Sequence, residues 1–256
     1  MSTVRDRARA LSRRIKTRLR PLSPRLSREP KGLNAAQWEA LQAKDYHPSL
    51  EGIIERYQRD ISEQDAQGWT NFVGKHLGEE IRLEGKRFLE IGHGGGWYLA
   101  QSLRGRCSSV VGVEISEIAN TKARQALEHF GYDRFELFTV QDSDLAALPV
   151  RGIDVALSLT VFQHTARDVF GDYLVWLASV MTPAGVLYMQ TLENDRETRV
   201  QRSPDDVLSV SYQSGAVADM VRRAGLRVVK RVAYRYSDGI DYWGIYHVAA
   251  GASEAP

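Results

Sequence analysis

The chain predicts an α/β fold, a doubly wound and mainly parallel sheet of seven strands that closes in an antiparallel hairpin and follows a set of N-terminal helices. Three observations carry that expectation. From Lys86 onward, short apolar runs alternate with helical patterns. One of those runs ends in an acidic residue and then three glycines at alternate positions. The last two runs are joined through Ser237-Asp238-Gly239, residue types that suit a turn between antiparallel neighbours. Alternation of strand and helix argues a parallel sheet covered on both faces.

The expected strands lie near 87–91, 109–115, 134–140, 153–159, 184–192, 226–235 and 241–249. The helices between them lie near 96–104, 117–130, 166–181 and 214–224. Ahead of the sheet, Asn34 suits the cap of a short helix through Leu41, and residues 50–59 and 69–81 repeat their apolar positions at helical spacing. The organisation that follows is a basic arm over residues 1–32, a helical lead-in over 33–84, the main domain over 85–250 and a disordered tail over 251–256. No internal repeat is visible.

At 256 residues and 43% hydrophobic content, the chain has room for one α/β domain and a modest appendage. The lone Cys107 excludes an internal disulfide framework and a Cys-rich metal site, and suits a reducing compartment. No window supplies the roughly 18 to 20 consecutive apolar residues of a membrane-spanning helix, and no apolar signal-peptide core follows the basic N-terminus. The cytoplasm is the expected location.

Charge is divided unevenly. Residues 1–31 hold eleven Lys/Arg against Asp6 and Glu29, a charge of +9 that leaves −7 on the remainder of a chain whose net charge is +2. Val4, Ala8, Leu11, Ile15 and Leu19 would share one face of a helix, opposite the arginines, until Pro21 ends the pattern. Three uses compete for this arm: peripheral contact with an anionic membrane, a nucleic-acid arm, or a solvated basic tail. The apolar stripe ranks lipid above nucleic acid, because phosphate binding does not need it. An arginine-rich organellar transit peptide has the same look.

The segment Phe88-Leu89-Glu90-Ile91-Gly92-His93-Gly94-Gly95-Gly96-Trp97 is the most informative in the chain. A buried strand delivers the backbone to a tight turn, the glycines permit close approach, and the following helix offers free N–H groups to a ligand. A dinucleotide fingerprint wants Gly or Ala three positions after its second glycine, where this chain has Trp97. Glu90 would repel a phosphate and attract an ammonium group. A cationic, amino-acid-like nucleoside fits better than NAD.

Leu89 to Gly96 resembles the first motif of the class I S-adenosylmethionine-dependent methyltransferases, which have a Rossmann-like sheet. Later segments agree in order: Val110 to Ser116, Phe135 to Asp144, Ile153 to Leu159 with Val161-Phe162-Gln163-His164, Met181 to Tyr188, and Arg223 to Leu226. The resemblance covers roughly residues 69 to 249. It implies that Glu90, Gly92, Gly94, Gly96, Glu114, Asp142 and Gln163 line the cofactor crevice at the carboxyl ends of the strands. Glu90 would orient the methionine amino group, Glu114 the ribose hydroxyls, and Asp142 the adenine amino group, with Asp144 as its rival. It also implies that the lead-in covers the cofactor. Trp69, Phe72 and Tyr57 are candidates for that contact or for core packing.

For the acceptor, His164 is the histidine that follows the fourth strand, and it serves either as general base or as a structural residue there. His93 reads as a turn residue placed by its backbone. Glu193, Asp195, Tyr212 and Tyr242 are candidates for shaping the acceptor pocket, with surface or core roles as the alternative. Residues 193–213 read as a long polar connection, either a lid suited to a sugar-like acceptor or a surface insertion. No metal cluster, nucleophile elbow or phosphate loop is present in the sequence.

Together these features predict S-adenosylmethionine-dependent O-methylation of a polar small molecule or a glycan, including a lipid-linked one. Nucleic acid is a less expected partner. Two alternatives stand beside this reading: a methyltransferase-like scaffold that works through its basic arm, and an NAD-dependent oxidoreductase.

Overall fold

The computed structural model describes residues 35–44, 49–55, 68–140, 145–202, 208–235 and 241–251, all within the unit Lys31–Pro256. The basic arm, Tyr57, Asp142, Asp144, the turn at 237–239 and the tail beyond Gly251 lie outside the described residues. In chain order the elements are α1 (Ala35–Gln42), α2 (Trp69–Leu77), β1 (Arg87–Ile91), α3 (Trp97–Arg104), β2 (Ser109–Glu114), α4 (Glu117–His129) and β3 (Phe135–Thr139). Then follow β4 (Ile153–Ser158), α5 (Arg167–Val180), β5 (Met181–Asn194), β6 (Arg199–Arg202), β7 (Leu208–Gln213), α6 (Ser214–Arg223), β8 (Leu226–Arg235) and β9 (Tyr242–Ala250).

The near-continuous apolar runs form the sheet's centre, as expected where both faces are covered. β3, β2, β1, β4 and β5 lie side by side in that order, all parallel. β9 runs antiparallel along β5, and β8 antiparallel along β9. All seven expected strands form. Strand five begins earlier than the expected 184, at Met181, and carries a bulge, because Ile153 pairs with Met181 and Val155 already pairs with Val186.

Residues 193–213 depart from the expected open connection. They fold into the antiparallel hairpin β6–β7, and β7 pairs in parallel with the end of β5 at Glu193↔Tyr212 and Asn194↔Gln213. Glu193 also pairs with Tyr242 of β9, so β7 must take the other edge of β5. That is the edge β4 vacates after Ser158↔Met189. The hairpin therefore stands directly above the carboxyl end of β4. The signal for β7 was present in Leu208-Ser209-Val210-Ser211-Tyr212, an alternation in which Val210 and Tyr212 are buried.

Two apolar layers hold the sheet. On one face Leu89, Ile91, Val111 and Val113 meet Phe162, Phe170 and Leu174, with Val217 and Val221 of α6. On the other, Phe88, Val110 and Leu157 meet Trp69, Val73 and Leu77 of α2 and Leu99 and Leu103 of α3. Trp69 is thus a core residue: its ring stacks on Phe88 and its Nε1 donates to Ser102 Oγ at 3.0 Å. Truncating such a ring to alanine costs about 3–5 kcal/mol. Phe72 packs against the same layer.

Cys107 is fully buried in that layer, and burial pushes its thiol up to about 12. The native protein treated with a thiol reagent at pH 8 should remain unlabelled and take up one label in urea. Rapid labelling without denaturant would contradict this packing.

Candidate active site

β1 delivers Glu90 and Ile91 into the glycine loop, whose first N–H, on Gly92, donates to the Val113 carbonyl at 2.7 Å. Gly92 lies so close to Val161 that an added Cβ would come within 2.4 Å of Val161 Cγ2. The loop after β1 and the turn after β4 are therefore in direct contact. Gly96 adopts φ +78° and faces Ala123 of α4, 2.9 Å from where a Cβ would stand. Gly96→Ala combines a left-handed backbone, about 1–2 kcal/mol, with overpacking of about 1–3 kcal/mol. Its melting temperature should fall by roughly 5–15 °C, and an unchanged melting curve would contradict the close helix approach.

Glu114, at the end of β2, ties that loop down. Its Oε2 accepts from Gly94 N at 2.9 Å, and its Oε1 accepts from the amides of Ile115 and Ser116 at 2.8 and 3.2 Å. Glu90 is 3% exposed, and its Oε2 has no hydrogen-bond partner. Burial, and then the nearby Glu114 charge, hold the Glu90 carboxyl well above the usual carboxylate range, against the opposing pull of the Leu99 amide in the first turn of α3.

His93 is buried behind the loop rather than merely placed in a turn. Its Nδ1 lies 2.9 Å from the Gly94 carbonyl and its Nε2 3.1 Å from Asn120 Oδ1, two acceptors of which the neutral ring's single N–H serves one. Asn120 Nδ2 in turn donates to Thr139 Oγ1 at 2.7 Å. Burial keeps the imidazole's pKa below its ordinary value. This network fixes the glycine loop to α4 and to the end of β3.

The turn after β4 brings the remaining candidates in. Thr160 adopts φ +59°, a conformation that costs a β-branched residue on the order of 1–3 kcal/mol and persists only where surroundings enforce it. Gln163 is buried; its Nε2 lies 3.2 Å from His164 Nε2, and its Oε1 has no partner. His164 meets the Trp38 ring edge-on at 5.5 Å.

Of the lead-in residues singled out in the sequence, Trp69 and Phe72 pack in the core, and the described lead-in residues that touch this edge are Trp38, Glu39 and Ile53. Glu39 of α1 accepts from the Glu117 amide, from Ser116 Oγ at 3.0 Å and from the Ile118 amide at 3.4 Å, capping the first turn of α4 beside Glu114. Ile53 is buried against Gly95. Glu39, Trp38 and Ile53 thus touch the edge after β2, β4 and β1.

Glu90 and Glu114 lie at the carboxyl ends of β1 and β2, and Gly92, Gly94, Gly96, Gln163 and His164 on the loop after β1 and the turn after β4. Glu193, Asp195 and Tyr242 form a network of their own: Arg231 Nη2 donates to Glu193 Oε2 at 2.6 Å and to the Tyr242 hydroxyl at 3.0 Å, and that hydroxyl donates to Asp195 Oδ1 at 2.6 Å. Their polar atoms are engaged with one another. Trp97 is buried at the start of α3, a bulk at odds with the small residue a pyrophosphate-binding turn needs there.

A family model described as a methyltransferase domain matches residues 55–231, more than half of the chain. The chain belongs to the methyltransferase-domain family. Its sheet order, with the antiparallel strands at the C-terminus, is the class I S-adenosylmethionine-dependent methyltransferase fold. The chain is similar in structure to the 1,6-didemethyltoxoflavin-N1-methyltransferase of Burkholderia thailandensis, with a TM-score of 0.59 and 17% identity over 88% of this chain and 93% of that one. It is similar also to the [4+2]-cyclase SpnF, with a TM-score of 0.60 and 14% identity over 87% and 98%. Likeness at this identity shows the fold alone, and the cyclase illustrates that one fold hosts more than one chemistry.

Among curated proteins, the chain is 24% identical to the tRNA U34 carboxymethyltransferase of Pseudomonas fluorescens (strain SBW25) over 66% of this chain and 54% of that protein. It is 30% identical to that of Pseudoalteromonas translucida over 45% and 35%. The chain thus spans about half or less of the curated relatives it matches. Among the described residues, no helix is long and apolar enough to cross a membrane.

Proposed function

We propose that this methyltransferase transfers a methyl group from S-adenosylmethionine to a hydroxyl of a polar small molecule or a glycan, including a lipid-linked one. The observation that carries the donor half is Glu90 Oε2, a buried acceptor without a partner, beside a second carboxylate and a glycine loop. Such a site is completed by a ligand that brings hydrogen-bond donors and positive charge. S-adenosylmethionine has an ammonium group, a ribose diol and an aminopurine.

In this reading Glu90 takes the ammonium, and the loop at Gly92, Gly94 and Gly96 makes room for the amino-acid part. Glu114 accepts from the ribose hydroxyls, Asp142 or its rival Asp144 from the adenine amino group, and Gln163 lines the crevice. The donor supplies a methyl group made electrophilic by its sulfonium. The chain's own residues supply orientation and exclusion of water, with α1 and Ile53 as the cover. His164 takes the acceptor's proton, and an incoming hydroxyl competes with the Gln163 amide for Nε2.

An RNA acceptor is the second reading. The names of the curated relatives and the eleven Lys/Arg of residues 1–31 favour it. Cell extract incubated with methyl-labelled S-adenosylmethionine separates the two. Label in the small-molecule or lipid-linked glycan fraction, lost in His164→Ala, supports the first; label in RNA supports the second. Label in no fraction, with the cofactor unconsumed, would leave the scaffold reading. The arm is proposed to dock on anionic membranes, and cosedimentation with anionic vesicles that survives removal of residues 1–31 would reject that.

A further inference from the structure

We propose that Tyr212 is a positioning residue for this reaction: its hydroxyl grips the two carbonyls that flank Gln163 and His164 and so sets where both stand. The inference rests on the roles given above to Gln163 and His164.

Tyr212 is fully buried at the point where β7 takes over the edge of β5 beyond the end of β4. From there its hydroxyl reaches the Thr165 carbonyl at 2.8 Å and the Phe162 carbonyl at 3.3 Å. Its ring lies 5.5 Å from Phe170, which stacks on Phe162 at 4.1 Å. Within the turn, His164 N donates to the Val161 carbonyl at 2.8 Å, and Thr165 N and Oγ1 to the Phe162 carbonyl at 3.3 and 2.9 Å. The turn also begins in the left-handed conformation of Thr160, which needs enforcement from outside. Tyr212 supplies a brace from a strand 47 residues away in sequence. Through Tyr212 the strand β7 thereby becomes part of the acceptor side of the site.

Tyr212→Phe keeps the ring and removes the grip. Amide exchange at His164 and Thr165 should quicken about tenfold, the equivalent of one lost hydrogen bond, while β4 and α5 exchange as before. The His164 ring resonance should shift, and affinity for S-adenosylhomocysteine should fall about threefold or more through Gln163. Ser209→Ala, at an alternate position of the same strand, should leave all three unchanged. If His164 and Thr165 exchange and resonate as in the wild type, the inference is overturned. It is equally overturned if the variant unfolds or exchange rises throughout β5, β7 and α5, since Tyr212 would then serve stability alone. Failure of the wild type to bind S-adenosylhomocysteine would refute the donor reading, whatever exchange and resonance report about the brace.

Discussion

Glu114→Ala should abolish measurable binding of S-adenosylhomocysteine while leaving the circular dichroism spectrum folded. The carboxylate stands at the end of β2 with three backbone amides on it, from Gly94, Ile115 and Ser116. Its remaining acceptor capacity is what the ribose diol would use. Two hydrogen bonds to a charged acceptor are worth about 3–6 kcal/mol, which is roughly two to four orders of magnitude in affinity. Releasing Gly94 also loosens the loop that shapes the rest of the site. Calorimetry that found the alanine variant within tenfold of the wild type would remove Glu114 from the donor site.

Below the raised pKa of Glu90, donor binding should release a proton, and its affinity should rise with pH. Glu90 is buried with an unpartnered oxygen, and its carboxyl is held well above the usual range chiefly by burial and then by Glu114. Facing it are Glu114 and the Leu99 amide. An ammonium group arriving at Glu90 favours the carboxylate and drives the proton off. Below the raised pKa of the free protein, affinity should therefore climb with pH by up to about tenfold per unit, and level off above it.

The stability of the free protein runs the other way. The contribution of a raised acid is fully present below its unfolded pKa and is lost as pH rises through the folded one. Titration in two buffers of different ionisation enthalpy measures the released proton. Glu90→Gln, which mimics the protonated acid, should bind more weakly, release no proton and lose this part of the pH dependence of melting. Buffer-independent heats for the wild type would contradict the account.

What the sequence made legible was whatever depends on neighbours along the chain. The seven long strands announce themselves because each apolar run is bounded by turn residues, and the glycine loop because its backbone requirements are local. The hairpin β6–β7 was missed because Arg199-Val200-Gln201-Arg202 has no apolar face to read, and its polar groups find partners far away. Arg199 pairs with Asp241 at 2.8 Å, Ser211 Oγ donates to the same carboxylate at 2.7 Å, and Asn194 Nδ2 donates to Ser211 Oγ at 3.0 Å.

The same limit governs the site. Glu90, Gly94, Glu114, Gln163 and His164 could be named because each ends or follows a strand. Glu39 could not, since it reaches a helix start some 77 residues on, and although Tyr212 and His93 could be named, the contacts of Tyr212 with Thr165 and of His93 with Asn120 could not. Each of these three is a long-range polar contact with no periodic signature. They decide how firmly the site is held.

Titration of the wild-type chain with S-adenosylhomocysteine, followed by calorimetry at neutral pH, tests the donor site most directly. The account predicts saturable binding at one site per chain, together with a rise in melting temperature. No heat and no thermal shift at saturating ligand would contradict it.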